Sequence, residues 1–332
     1  MTEARASIVV VPRERFSAAR ESLESLLANT EPPFELIYVD GGSPRSLRTW
    51  LEEQAADRGF RLLRRDHYLS PNEARNIGLA EVDTEFVAFI DNDVLVQPGW
   101  LAKLIECADE TGAAAVGPLT CEYDFDTVHF AGGDVEITEE GEDEEIARHV
   151  RERMYFPQRK VAAVSSELVR QEVRLCEFHC VMARTEAVRE IGGLDEGLLN
   201  TREHLDFSLA LAKNGGTVWF EPESVVAYTP PPPLQLSDLH FYVLRWSDDW
   251  ERRSLEHFRR KWDLSDDEFF RRRLARLGWR RQSMVVSQPV RRLTLGRGSR
   301  LLEKAGQRLE HRVNSYLTRR HLRKGSATPG SA

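Results

Sequence analysis

The chain has 332 residues, 41% apolar and 30% charged, with 21 Gly and 15 Pro. This is an ordinary globular composition, long enough for about two domains, and it excludes collagen-like and wholly disordered classes. The net charge of −8 conceals an acidic body and a basic tail, which speaks against nucleic acid as a partner of the body.

No uncharged apolar run reaches the ~18 residues of a membrane-spanning helix. The apolar stretch Ile8 to Val11 follows Glu3 and is too short for the ~7–15-residue core of a signal peptide. With only four cysteines, the expectation is a cytoplasmic protein with reduced thiols.

In chain order, Ser7 to Val11 is a β-branched run closed by Pro12, as a buried parallel strand would be. Leu23, Leu26 and Leu27 set a helical spacing over Ser17 to Asn29, with Ser17 as the N-cap. Phe34 to Val39 is a second strand, broken at Asp40-Gly41-Gly42-Ser43-Pro44, a strong turn signal. A helix over Leu47 to Arg58, a strand over Arg61 to Arg64 and a helix over Pro71 to Leu79 entered through Ser70 follow. Glu85 to Ile90 is another buried strand, ending at Asp91-Asn92-Asp93, and Trp100 opens a helix to about Asp109. Such alternation implies an α/β fold with a mostly parallel, doubly wound sheet, which binds ligands at the carboxyl ends of its strands. Further on, the acidic run Glu136 to Glu145 reads as a solvated loop or helix face. A strand is expected over Glu177 to Ala183, a helix over Arg202 to Asn214 and a short final strand over Thr217 to Phe220. Pro230 to Pro233 is a stiff spacer and marks the boundary between a body, 1–233 (halves 1–98 and 99–233), and a helical extension, 234–332.

Asp91 and Asp93 end a buried strand, and strand alternation puts both carboxylates on one side with Asn92 away from them. With nothing basic beside them in sequence they form a hard-oxygen site suited to Mn²⁺ or Mg²⁺; the bland alternative is a pair of helix-capping acids. Cys176-Glu177-Phe178-His179-Cys180 does not have zinc-site spacing. As a strand it would bury Cys176, Phe178, Cys180 and Met182 on one face, with Glu177 and His179 on the other as candidate acceptor-pocket residues.

An apolar strand ending in D-x-D-x-[TV] resembles the start of haloacid-dehalogenase-type phosphatases, in which Asp91 would be the nucleophile. The wider order of motifs resembles the family 2 glycosyltransferases of the GT-A fold, over about Ser7 to Tyr228. Ile8 to Pro12 is similar to the opening strand, Val39-Asp40-Gly41-Gly42-Ser43 to the V-D-x-G-S turn, and Ala74-Arg75-Asn76-Ile77-Gly78 to the A-R-N-x-G helix. Asp91-Asn92-Asp93 stands as the D-x-D, Gly192-Gly193-Leu194-Asp195-Glu196 as the G-G-F-D-E loop, and Glu203-His204-Leu205-Asp206 as the helix carrying the catalytic base.

This resemblance implies an inverting, metal-dependent transfer of a sugar from a nucleoside-diphosphate donor to a glycan or lipid-linked acceptor. Pro12, Asp40, Arg75, Asp91, Gly192 and Gly193 would contact the donor, with Asp40 on the base. Asp93, with Asp91, would hold the metal. The second acid of the family's E-D pair is replaced by His204, so the base is either Glu203 or His204, with Asp206 holding the helix or touching the acceptor. The family's histidine ligand after the last core strand is replaced by Tyr228; His240 is the substitute candidate, otherwise an interfacial histidine. These two departures keep open a non-catalytic module that binds sugar nucleotides.

From Ser265 onward the chain carries 17 Lys and Arg against 5 Asp and Glu, leaving 29 against 49 before it. Trp246, Trp250, Phe258 and Trp262 are expected to form the core of the extension. Leu301, Ala305, Leu309, Val313 and Tyr316 make a narrow helical stripe flanked by Arg and Lys. That stripe suits peripheral contact with an anionic membrane surface, and equally packing on the acidic body or on a second protomer.

Overall fold

The computed structural model describes residues 3–141, 146–228 and 234–325. Pro230 to Pro233 and the last part of the acidic run lie outside them. The elements follow in chain order. β1 (Ala6–Val11), buried at every position, leads through a 3₁₀ turn at Phe16–Ala18 into α1 (Ala19–Asn29). β2 (Glu35–Gly41), α2 (Arg45–Arg58), β3 (Arg61–Arg65) and α3 (Pro71–Leu79) come next. β4 (Phe86–Asp91), β5 (Val94–Val96), α4 (Trp100–Thr111), β6 (Ala115–Glu122) and β7 (Val128–Phe130) complete the first half.

The second half has the hairpin β8 (Gly133–Glu140) and β9 (Ala147–Met154), then α5 (Val161–Val164), β10 (Gln171–Val173), β11 (Cys180–Arg184), α6 (Thr185–Glu190), α7 (Glu203–Lys213) and β12 (Val218–Tyr228). The extension comprises α8 (Leu236–Arg245), α9 (Asp248–Lys261), α10 (Glu268–Leu274), α11 (Trp279–Gln282), α12 (Gln288–Leu293) and α13 (Arg300–Gly325), with a π-helical turn at Ser283–Ser287.

The main sheet runs β10-β12-β6-β11-β4-β1-β2-β3, with β5 on β12 and β7 on β6. β3, β2, β1 and β4 are parallel, as the βα alternation requires. β11 then runs antiparallel between β4 and β6, so the sheet is mixed. Its centre, β1 and β4, is covered on both faces. Val9, Val11, Val87 and Phe89 join one core, while Ile8, Val10, Ala88 and Ile90 join the other. Gly78 lets α3 lie against β1, because a Cβ there would stand 2.3 Å from Val9. Ser70 caps α3 in a reciprocal box with Glu73.

Four local expectations are corrected. Ser17 does not cap α1; its N–H and hydroxyl donate to Asp238 of α8 (2.9 and 2.6 Å). Glu136 to Glu140 lie in β8, where pairing with the Arg-rich β9 places acids opposite bases, as in Glu136 opposite Arg151. The last strand is eleven residues long and not four, bulged between Glu221 and Val225. β11 begins only at Cys180, so Cys176 and Phe178 join one core while Cys180 and Met182 join the other. All four cysteines are free and buried.

Candidate functional site

β4 ends at Asp91, and Asn92 with Asp93 forms a turn into β5. The turn is pinned from both sides. Asn92 N donates to Val11 O (2.9 Å), Arg13 N donates to Asn92 Oδ1 (3.0 Å), and Asp91 N donates to His179 O (3.0 Å). Asp91, Asp93 and His179 thereby each offer a ligand atom within 4.8 Å of the others. None of the three is more than 1% exposed. The two aspartates do converge, but a turn brings them together and not strand alternation. The same correction applies to His179. It stands in a turn before β11, so alternation does not govern it, and it joins Asp91 and Asp93 instead of an acceptor pocket. Glu177 stays beside it, accepting from His179 N (2.7 Å).

Three guanidiniums surround this cluster. Arg75, from α3, donates to Asp91 Oδ1 (3.1 Å) and Asn72 Oδ1 (3.1 Å) and lies 4.0 Å over the Phe178 ring. Arg13 donates to Asp91 Oδ2 (2.8 Å) and also contacts both ring nitrogens of His179. Arg245, from α8, approaches Glu203 (3.7 Å) and Glu14 (3.9 Å). Asp93 is different: neither of its buried carboxylate oxygens has a hydrogen-bond partner. Burial, with the charges of Asp91 and Glu14 added, pushes it up to about 8 against the pull of Arg13.

A buried, unpartnered carboxylate is costly unless a cation meets it. Two carboxylates and an imidazole are a donor set suited to Mn²⁺ or Mg²⁺. Burial and the charge of Arg13 hold His179 well below its ordinary range, so the ring is neutral, the form that ligates a metal. The residues therefore fit a divalent ion, with Arg13 competing for Asp91 and His179.

α7 starts at Glu203, and its N-cap is Arg202 in a left-handed conformation (φ 70°) with no side-chain cap. Glu203 is buried, with Oε2 unpartnered. Burial alone would raise its pKa, yet Arg245, His204 and Arg75 outweigh it and hold the carboxyl below its usual range. His204 turns to Glu152 of β9 (3.5 Å). Asp206 accepts from Lys261 Nζ (2.8 Å) and Trp262 Nε1 (2.9 Å), tying α7 to the extension.

Asp40, at the end of β2, accepts from Ser43 N (3.1 Å), Ser43 Oγ (2.8 Å) and Arg64. Gly42 (φ +69°) backs onto His67. Beside this turn is a cavity of about 240 Å³, lined by Gly42, Tyr68, His240, Arg320 and His321 among others. His240 Nδ1 lies 3.2 Å from Tyr68 Oη, so His240 belongs to this cavity and not to the Asp91–Asp93–His179 cluster. Tyr228, where the resemblance puts a histidine, lies against His179 with ring centroids 4.2 Å apart. Pro12 is buried at the end of β1, next to Arg13.

The Gly192–Glu196 loop is held by α3. Asn76 exchanges hydrogen bonds with Leu194 N (2.9 Å) and Leu194 O (2.8 Å), and Asn72 donates to Asp195 O (2.8 Å). Gly193 is required here, since at φ +80° its Cβ would meet Asn76 Oδ1 at 3.1 Å; Gly192 (φ +85°) faces open space.

The profile of glycosyl transferase family 2 matches residues 7–191. The chain belongs to that family. As a family 2 member it is 27% identical over 223 residues to the pre-mycofactocin glycosyltransferase of Mycobacterium tuberculosis, covering 67% of this chain and 42% of that relative. It is 34% identical over 111 residues to the succinoglycan biosynthesis protein ExoM of Rhizobium meliloti, covering 31% and 35% of the two chains. The chain thus spans well under half the length of these curated relatives. Among solved structures, its fold is similar to mannosyltransferase PcManGT from Pyrobaculum calidifontis in complex with GDP-Man and Mn²⁺ (TM-score 0.52, 13% identity, 95% of this chain and 85% of that one). It is also similar to GalNAc-T7 with UDP, GalNAc and Mn²⁺ (TM-score 0.52, 17% identity, 82% and 56%). The fold is GT-A.

Three residues of this family 2 site escape a reading of the sequence: Arg13, Glu14 and Arg245. Arg13 and Glu14 directly follow the opening strand, at the carboxyl end where parallel sheets bind ligands, so their position is a usable signal. Arg245 has none, because it lies beyond the proline run in what reads as a separate unit.

Proposed function

We propose that the chain transfers a sugar from a nucleoside-diphosphate donor to an acceptor hydroxyl, with inversion at the anomeric carbon and with Mn²⁺ or Mg²⁺ held by Asp91, Asp93 and His179. The observation that carries this reading is the unpartnered Asp93 carboxylate beside Asp91 and His179, at the carboxyl end of β4 in a family 2 chain. Two fold relatives described with a nucleotide or nucleotide sugar and Mn²⁺ support the donor class. When bound, the cation supplies Lewis-acid neutralisation of the diphosphate as it departs.

The chain's own residues do the rest. Glu203 is the base that takes the acceptor's proton. It is ionised at neutral pH, as a base must be, and it shares its surroundings with Arg75, which is anchored on Asp91. His204 is engaged with Glu152, which favours Glu203 of the two. Arg75 and Arg13 are positioned to receive phosphate oxygens when these replace Asp91 as their partner. The nucleoside is assigned to the cavity beside Gly42 and Tyr68, next to Asp40, and the Gly192–Gly193 loop to the sugar. The acceptor is a glycan or a lipid-linked saccharide. An Asp91 nucleophile of the phosphatase type is disfavoured, because arginines hold both of its oxygens.

The test is release of nucleoside diphosphate from a panel of nucleoside-diphosphate sugars, with Mn²⁺ and with chelator. Turnover of at least one donor, lost with chelator, is expected. Glu203→Gln should lower turnover by about 10²-fold or more while donor affinity holds. Donor binding with no turnover by the unaltered chain would leave the non-catalytic reading; no binding at all would end both.

A further inference from the structure

A helix with an apolar stripe ordinarily turns that stripe to a core. α13 does the reverse. Its polar side fastens it to the molecule: Glu310 pairs with Arg281, Asn314 Nδ2 donates to Val243 O (2.8 Å), and His311 Nδ1 lies 3.0 Å from Asp248 Oδ2. Gly306 permits the approach, since a Cβ there would stand 2.7 Å from Val286. The stripe is left outside, with Leu301 81%, Leu309 65% and Tyr316 63% exposed. The segment leading into α13 adds Leu293 and Leu295, 81% and 93% exposed. Among the described residues, the stripe does not pack on the acidic body.

The exposed charges around the stripe are of one sign. Arg291, Arg297, Arg300, Lys304, Arg308 and Arg312 are all exposed, and no acidic residue occurs between Glu268 and Glu303. Among the described residues, none of these six bases is in an ion pair. An apolar groove of about 570 Å³ opens alongside, lined by Leu239, Val243, Val285, Val290, Leu309 and Val313 among others.

We propose that this face docks on the surface of an anionic lipid bilayer. Exposed leucines ringed by unneutralised cations complement hydrocarbon under a layer of phosphates: the leucines leave water while the guanidiniums meet headgroups. The acidic body of a second copy would answer the charges but leave the leucines in water. The proposal does not depend on the catalytic reading.

The experiment is co-sedimentation of the full chain with vesicles of phosphatidylcholine, alone or containing roughly a third phosphatidylglycerol. Binding only to the anionic vesicles is expected, falling steeply as salt is raised to about 0.5 M. Leu295→Glu with Leu301→Glu, and separately Arg297→Glu with Arg300→Glu, should each lower vesicle partition by about tenfold or more. All four positions are exposed, so the melting temperatures of both variants should match the parent, which separates lost docking from lost folding. Absence of binding to anionic vesicles, or equal binding by both variants, overturns the proposal. A dimer in light scattering that these variants dissolve, without vesicle binding, gives the face to a second copy and also overturns it.

Discussion

Replacing Asp93 with asparagine probes the centre of the site. The side chain has almost the same shape but can no longer ionise. In the metal-free protein Asp93 is fully buried and neither oxygen has a partner, an arrangement that costs on the order of 2 kcal/mol or more. The amide of Asp93→Asn finds no partners there either, so only part of that cost is recovered, about 1–2 kcal/mol. At roughly 2.1 cal/mol/K per residue, a chain of 332 residues has an unfolding entropy near ~0.7 kcal/mol/K. One kcal/mol then moves the melting temperature by ~1.4 °C. The metal-free variant should melt ~1–3 °C above its parent. Adding Mn²⁺ at 100 times its Kd should stabilise the parent by about 2.7 kcal/mol, or ~4 °C, and the variant much less. Differential scanning fluorimetry with chelator and with Mn²⁺ gives all four temperatures. An equal Mn²⁺ shift in both proteins, or a metal-free variant melting several degrees below its parent, would refute the assignment of Asp93 as a cation ligand.

Arg13 donates to Asp91 and touches His179, so it competes with a divalent ion for the same atoms. Arg13→Gln should raise the Mn²⁺ affinity of nucleotide-free protein by about tenfold in isothermal titration, and weaker binding would show that Arg13 does not compete. Asp206→Ala leaves Trp262 Nε1 without its acceptor and removes one partner of Lys261; a loss of about 2–4 kcal/mol is expected, read as earlier denaturant unfolding and faster proteolysis between α7 and α9. Glu152 is held down to about 2, because His204, Arg202 and Arg273 outweigh the opposing effect of burial. The unfolded chain takes up that proton first as pH falls, so this stabilisation is complete above about pH 4.5 and is lost toward pH 2. It amounts to about 3 kcal/mol at most, and the gap in stability between the parent and Glu152→Gln should close over that window in urea titrations.

What is legible in the sequence follows from short-range chemistry. β1 to β4 and the helices between them are fixed by contiguous β-branched runs, the Ser70–Glu73 box and the glycines at turns, all of which act within a few residues. The Asp91–Asp93 pair is visible for the same reason. His179 is misplaced by the sequence because period-two alternation does not hold across Cys176 to His179, where the chain is not extended. β8 is hidden because four acids in its eight residues look like a loop until the arginines of β9 are set opposite them. That pairing is non-local, and no window along the chain contains it. The outward stripe of α13 is the clearest case. Its spacing correctly announces a helix, but which side faces the molecule depends on Arg281, Asp248 and the Val243 carbonyl, none of them in the helix.

Reading residues 234–332 as a separate extension fits the composition but not the contacts. Arg245 enters the network of Glu14 and Glu203. Asp238 takes both donors of Ser17. Asn200 donates to Arg245 O (2.6 Å). Leu255 and Phe258 share a core with Phe130, Leu198 and Leu205. The extension therefore supplies a countercharge to the proposed base and one wall of the hydrophobic interior. A chain ending at Tyr228 would leave Glu203 buried without Arg245, which raises its pKa toward that of a neutral acid, and would bare that shared core to water. Such a truncation should bind a hydrophobic dye and lose near-ultraviolet dichroism while keeping much of its far-ultraviolet signal. Should it instead melt cooperatively within a few degrees of the full chain and bind Mn²⁺ equally well, the extension would be an appendage, and the role given to Arg245 would fall.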